Sequence, residues 1–126
     1  MLINLTPHPI NLVDKDGNVL KTLPASGWEL RLSSSTVPVG DVDGWPTSKT
    51  VFGAAEVVKS KNWNGQEAPE FAPLDEFGAR HDKNPMHYIV SMLAKSAHPD
   101  AVNLYVPSEV VRDANGNVVG CQSLGL

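Results

Sequence analysis

Carboxylate and amide side chains recur at alternate positions in two short stretches of this 126-residue chain, residues 14–18 and 113–117. The spacing matches the opening of an EF-hand calcium loop, which also needs glycine at its sixth position and glutamate at its twelfth. Both stretches carry other residue types there: Val19 and Ala25 in the first, Val118 and Leu124 in the second. Because strand-like sequence flanks each stretch, both are predicted to be tight hairpin turns, and no metal site is expected.

Arginine is the most informative residue type near these turns. The chain has only Arg31, Arg80 and Arg112, and Arg112 directly precedes the second turn. A guanidinium at the end of a hairpin strand suits a phosphate or a carboxylate ligand. The alternative is an arginine paired with Glu109 or Asp113 on a solvated strand, and position alone favours this simpler interpretation.

The four histidines and the single cysteine carry no recognisable catalytic signature. No two histidines have the i,i+4 spacing of a zinc protease, and Cys121 lacks a basic neighbour in sequence. The phosphate-binding glycine motifs of nucleotide enzymes are also absent from the sequence. His81, Asp82 and His87 lie close enough along the chain to form an acid–base site, so a small nucleotide-hydrolysing enzyme remains an alternative.

The elements that must position these residues are mostly strands. Residues 2–24 predict a hairpin that turns at Gly17, with Pro7 and Pro9 interrupting its first strand. Residues 27–33 alternate apolar and polar side chains and predict a half-buried strand. The stretch from 35 to 49, rich in glycine, proline and aspartate, predicts a loop, and residues 50–59 predict a returning strand.

The second half of the chain begins irregularly and then recovers order. Residues 60–84 carry no usable period and predict an irregular loop or insertion. Residues 87–91 predict a buried strand, and the next segment predicts a short helix with Ser91 as its N-cap. A strand at 102–107 and a second hairpin complete an α+β fold: a mainly antiparallel β-sheet of hairpins with one or two short helices, in a single domain over residues 1–126.

Composition excludes some classes of function. A net charge of −4 argues against binding of duplex nucleic acid or of an acidic membrane surface, which needs clustered lysine and arginine. The single cysteine excludes an intrachain disulfide framework. No membrane-spanning stretch or signal peptide is recognisable, so a cytoplasmic protein is expected.

Three motifs together resemble one small phage and prophage family, the first type of Thoeris anti-defence proteins. They are N-L-T-P-H followed by a hairpin at the start, Y-I-V-S in the middle, and V-V-R-D-A-N-G-N-V-V-G near the end. The resemblance covers about two-thirds of the chain and leaves the irregular segment outside. It implies a protein without catalytic activity or cofactor that sequesters cyclic ADP-ribose-type signals inside the bacterial host. It also implies a homo-oligomer, expected to be a hexamer, and a possible separate site for CBASS cyclic oligonucleotides.

The same resemblance supplies the candidate ligand-binding residues. Arg112 is expected to be the main phosphate or ribose contact, and Tyr88 and Ser91 are expected to form part of the pocket at a strand-to-helix junction. His8 and Phe52 are further candidates. Two alternatives stay open beside this function: the hydrolytic enzyme described above, and a phage structural or interaction protein without a nucleotide ligand.

Overall fold

The computed structural model describes residues 1–126 and contains eight strands and two short helices. The strands are β1 (Leu2–Asn4), β2 (Ile10–Val13), β3 (Val19–Leu23), β4 (Trp28–Val42), β5 (Trp45–Lys59), β6 (His87–Ile89), β7 (Leu104–Arg112) and β8 (Val118–Gly125). The helices are α1 (Glu76–His81) and α2 (Met92–Ser96). The predicted α+β class, dominated by strands, is confirmed. Neither helix has the length and apolar character needed to cross a membrane.

Six strands form one mixed sheet in the order β1-β6-β7-β8-β2-β3. The hairpins β2–β3 and β7–β8 are antiparallel, whereas β1–β6, β6–β7 and β2–β8 are parallel neighbours. Gly120 permits the close approach of β8 to β2, because a Cβ atom there would lie 2.6 Å from the carbonyl oxygen of Asn11. The sheet therefore brings both chain ends and both Asx-Gly hairpins into one layer.

The N-terminal hairpin is shorter than predicted. Only β2 and β3 form it, around a turn at residues 14–17 in which Gly17 has φ +86° as expected. The preceding strand β1 pairs with β6 instead, so Leu2 lies opposite His87. Pro7 and Pro9 bracket a break in the strand, as predicted, since neither can donate a ladder hydrogen bond.

The loop predicted over residues 35–49 is wrong. These residues belong to a long antiparallel ribbon of β4 and β5, turned at its tip by Asp43 (φ +49°) and Gly44 (φ +82°). A two-stranded ribbon has a free outer edge on each strand, so prolines such as Pro38 and Pro46 can be tolerated there. The amino-acid composition of residues 35–49 is typical of a loop because this part of the ribbon does not pack against the core.

The core lies where the base of the ribbon meets the parallel part of the sheet and α2. Its buried members come from five separate regions of the chain: Leu5, Leu30, Tyr88, Val90, Ala94, Ala101 and Leu104. Trp28, Ala55 and Val57 pack against this cluster from the lower part of the ribbon. The alternation predicted for residues 27–33 is thus confirmed, with Trp28 and Leu30 turned toward the core.

The irregular segment runs over the core without joining either sheet, and α1 is its only regular element. Tyr88 in β6 and Asn103, directly before β7, hold it through side-chain hydrogen bonds. The carboxamide of Asn103, 1% exposed, donates to the carbonyl oxygens of Ala72 and Met86, both at 2.9 Å, and accepts from the backbone N–H of Leu74 at 2.8 Å. These bonds satisfy backbone groups that have no strand partner.

Replacing Asn103 by alanine is expected to lower the free energy of unfolding by about 2–4 kcal/mol, because three buried polar groups lose their partner. Urea denaturation followed by circular dichroism measures this change. Asn64→Ala, at an exposed position of the same segment, serves as the control and should change stability by less than about 0.5 kcal/mol. Equal effects of the two substitutions would contradict the anchoring role of Asn103.

Candidate functional site

A cleft of about 480 Å³ opens between the base of the ribbon, the loop after β1 and the start of α2. Its volume lies in the range of small-molecule binding sites. Twelve residues line it: Leu5, Thr6, Pro7, Glu29, Leu30, Arg31, Leu32, Ser34, Phe52, Ser91, Leu93 and Ala94. Apolar walls and one guanidinium therefore meet in a single open depression.

Arg31 supplies the positive charge of this cleft. Its side chain is 72% exposed, and its Nε lies 3.1 Å from Oε1 of Glu29, whose side chain is 13% exposed. The terminal nitrogens of the guanidinium make no hydrogen bond to the protein. Glu29 thus fixes the direction of the arginine while two amino groups stay free to donate to an anion. Sequence reasoning noted Arg31 on its strand but did not select it.

Phe52 and Ser91, both candidates from the sequence, lie in the same cleft. The Phe52 ring is about half exposed and pairs across the ribbon with Ser34. Ser91 is the N-cap of α2, as predicted, and its Oγ accepts a hydrogen bond from the backbone N–H of Ala94 at 3.2 Å. The hydroxyl is therefore already used in capping, whereas the aromatic face of Phe52 is available for stacking.

Tyr88 lies beneath the surface and has no exposed atoms. Its hydroxyl donates to the carbonyl oxygen of Glu70 at 2.6 Å and accepts from the N–H of Ala72 at 3.1 Å. Burial raises the pKa of the phenol above its usual value, so the hydroxyl stays protonated and keeps donating. Tyr88 anchors the irregular segment beside the site and does not face the cleft.

His8 is exposed beyond the rim of the cleft, at the end of the N-L-T-P-H motif. Asn4, 3% exposed, donates to the carbonyl oxygen of His8 at 2.8 Å and accepts from both the backbone N–H and the hydroxyl of Thr6, at 3.0 and 2.6 Å. This network folds the chain back at Pro7. The polar residues of the motif thus explain a tight loop that borders the cleft.

Arg112 does not line the cleft of its own chain. It is exposed at the end of β7, and its Nη1 donates to the carbonyl oxygen of Gly116 at 2.9 Å across the turn. Asp113 accepts from the backbone N–H groups of Asn115 and Asn117 at 2.9 and 3.0 Å, which confirms the turn. Asp14 repeats this pattern in the first hairpin, and hydrogen bonds from Asn18 lower the pKa of its carboxyl.

The three residues considered for acid–base chemistry lie in separate settings. His81 ends α1 with its ring 4.4 Å from that of Phe77, and Asp82 is the C-cap of the same helix. His87 in β6 lies 3.1 Å from the Tyr105 hydroxyl through its Nδ1. No hydrogen bond joins these three residues to one another, and no group of three or more histidine, cysteine, aspartate or glutamate side chains could hold a metal ion.

No known protein family, no curated protein and no solved structure matches this chain.

Cys121 is expected to resist thiol reagents in the native protein. It is 1% exposed in β8, and burial raises the pKa of its thiol, so little thiolate exists at neutral pH. Labelling with a chromogenic disulfide reagent should proceed only as fast as the protein opens or unfolds, and should be complete at once in guanidinium chloride. Rapid labelling of the folded protein would contradict the burial of this residue.

Proposed function

We infer that this protein binds a small phosphorylated nucleotide of the cyclic ADP-ribose type and leaves it chemically unchanged. One observation carries the proposal: an arginine with free terminal nitrogens lies in the same nucleotide-sized cleft as a half-exposed aromatic ring. Sequestration of an immune signal in the cytoplasm of a bacterial host is the proposed role, in line with the resemblance to the Thoeris anti-defence family.

The chemistry of the cleft suits such a ligand. The free amino groups of Arg31 can donate two charge-assisted hydrogen bonds to a phosphate. The Phe52 ring offers a face on which a purine can stack, worth about 1–3 kcal/mol. Leu5, Leu30 and Leu32 line the same cleft and offer apolar surface to the rest of the ligand. Nothing in this arrangement activates a nucleophile, so binding is a better description than turnover.

One chain alone provides too little positive charge for tight binding of a ligand with two phosphates. Glu29 offsets part of the charge of Arg31, and a nanomolar dissociation constant corresponds to about −12 kcal/mol. We propose that the chain acts as a homo-oligomer, with a hexamer as the expected form. In such an assembly, Arg112 of a neighbouring subunit would supply a second phosphate contact.

Binding without turnover is tested by incubating the purified protein with cyclic ADP-ribose isomers, then denaturing it with heat. The expected result is a rise in the melting temperature with one isomer, followed by release of that isomer intact, identified by mass spectrometry. A panel that also contains cyclic di- and trinucleotides tests the proposed second site for CBASS signals.

The same experiment separates the alternatives. A hydrolytic enzyme would release a cleaved nucleotide, and His87→Ala would abolish the cleavage. A structural or interaction protein would give no thermal shift with any nucleotide. Either outcome would refute the proposed sequestration.

Arg31→Ala is expected to weaken ligand binding about 10- to 100-fold, because charge-assisted hydrogen bonds are lost while the phosphate remains. Arg112→Ala is expected to abolish tight binding as well if the oligomer is the active form. Isothermal titration calorimetry measures both effects. The melting temperatures of the ligand-free variants should stay close to that of the wild type, since both side chains are exposed.

Arg80→Ala is the matched control for these two variants. Arg80 is equally exposed but lies on α1, paired with Glu76 at 2.5 Å and outside the cleft. Its replacement should leave the affinity unchanged. Equal affinity of the Arg31→Ala variant and the wild type would exclude the cleft as the binding site.

A further inference from the structure

The outer part of the β4–β5 ribbon, residues 33–54, is an arm that no other part of the chain covers. Every residue in it except Thr47 is exposed. With about 3.3 Å of rise per residue, the ten strand residues from 33 to 42 extend the arm roughly 30 Å from the core. An isolated two-stranded ribbon is only marginally stable in water. The arm therefore carries the features of an element that is completed by a partner.

The two faces of the arm differ in chemistry. Cross-strand pairs put Val37, Val42, Trp45 and Val51 on one face, with exposures of 41%, 60%, 76% and 42%, beside Ser35 and Lys49. The opposite face combines hydroxyl groups, from pairs such as Thr36–Thr50, with two prolines and Phe52. The valine and tryptophan face leaves large apolar side chains in water, and such a face is stabilising only when it is covered.

The arm also has unpaired backbone along both edges, since β4 and β5 have no other strand neighbours. Open edges of this kind pair readily with an extended strand of another chain. The partner surface should therefore be a free strand edge with apolar side chains.

The chain itself provides such a surface at β3, the edge strand of the six-stranded sheet. Val19 and Leu20 there are 55% and 71% exposed. Charge is complementary as well: Asp41 and Asp43 lie at the tip of the arm, Lys21 lies in β3, and none of the three forms an ion pair within the chain.

The extent of the arm supplies a large part of what a stable interface requires. A standard protein–protein interface uses about 20–30 residues and about 800 Å² on each side. The arm from residue 33 to residue 54 has 22 residues, and the face that docks uses about half of them, so residues of the body complete the interface.

We propose that the arm of one copy docks on a second copy of this chain, with a free edge of the ribbon along the outer edge of β3 and the valine and tryptophan side chains covered by that neighbour. The contact is head-to-tail, so each copy uses its arm on one neighbour and its β3 edge on another, and closure gives a ring. This proposal rests on the homo-oligomer of the proposed function but needs no ligand.

Sedimentation velocity of the ligand-free protein over a wide range of concentrations tests the docking. Wild type is expected to sediment as an assembly of copies. Val51→Lys should weaken self-association roughly tenfold or more, because a charged side chain replaces a valine that the proposed interface buries. Thr50→Lys, the adjacent position on the hydroxyl face, should associate like the wild type and serves as the matched control. Both variants should keep the wild-type circular dichroism spectrum, since the arm contributes nothing to the core.

Cysteine cross-linking identifies the receiving surface. Asp43→Cys and Lys21→Cys are prepared separately, mixed and oxidised, with wild type as the control for the buried Cys121. A disulfide-linked dimer that forms only in the mixture supports docking on β3. A dimer from Asp43→Cys alone would mean that two arms meet at their tips, and would overturn the β3 assignment.

Two results would overturn the docking itself: a wild-type protein of 13.5 kDa at every concentration, or equal self-association of the Val51→Lys and Thr50→Lys variants. These results are distinguishable from failure of the proposed function, since they are obtained without nucleotide. If the protein assembles through its arm but binds no nucleotide, the docking proposal is supported and the proposed nucleotide ligand is refuted.

Discussion

The structure depends on a few buried side-chain hydrogen bonds. They pair backbone groups of a segment that has no neighbouring strand to pair with. The irregular segment before β6 crosses the core with its backbone polar groups unpaired by any strand. The side chains of Asn103 and Tyr88 form hydrogen bonds with those groups. Tyr88 lies in β6, and Asn103 directly precedes β7. Without them, desolvated carbonyl and N–H groups would oppose closure of the core, because an unpaired buried group costs about 1–3 kcal/mol. The role of Tyr88 is therefore architectural, although it lies close to the candidate cleft.

The ribbon base, the N-terminal loop and the start of α2 converge on one cleft. A local interaction holds each wall of the cleft. Asn4 folds back the loop at Pro7, Ser91 caps α2, and Glu29 pairs with the guanidinium of Arg31. Such interactions restrict side chains before a ligand binds, which reduces the entropy lost on binding.

The ribbon connects the two proposals physically. Its base forms a wall of the cleft through Glu29–Leu32, and the arm proposed to contact a second copy begins in the same wall with Phe52. Because one pair of strands carries both surfaces, assembly would restrict the motion of the cleft wall. It would also bring residues of a neighbour toward a site that is short of positive charge within one chain.

Local sequence patterns determined much of this protein. Alternation predicted the strand at Trp28–Leu32, Asx-Gly chemistry predicted both hairpin turns, and Ser91 marked the start of α2, since all three follow from forces between residues close in the chain. The loop predicted over residues 35–49 was wrong, because proline and glycine counts cannot reveal that both edges of a ribbon are free. Only the tertiary structure decided that Arg31, not Arg112, shares a cleft with Phe52 and Ser91. These residues meet through contacts between distant parts of the chain, and no local pattern encodes such contacts.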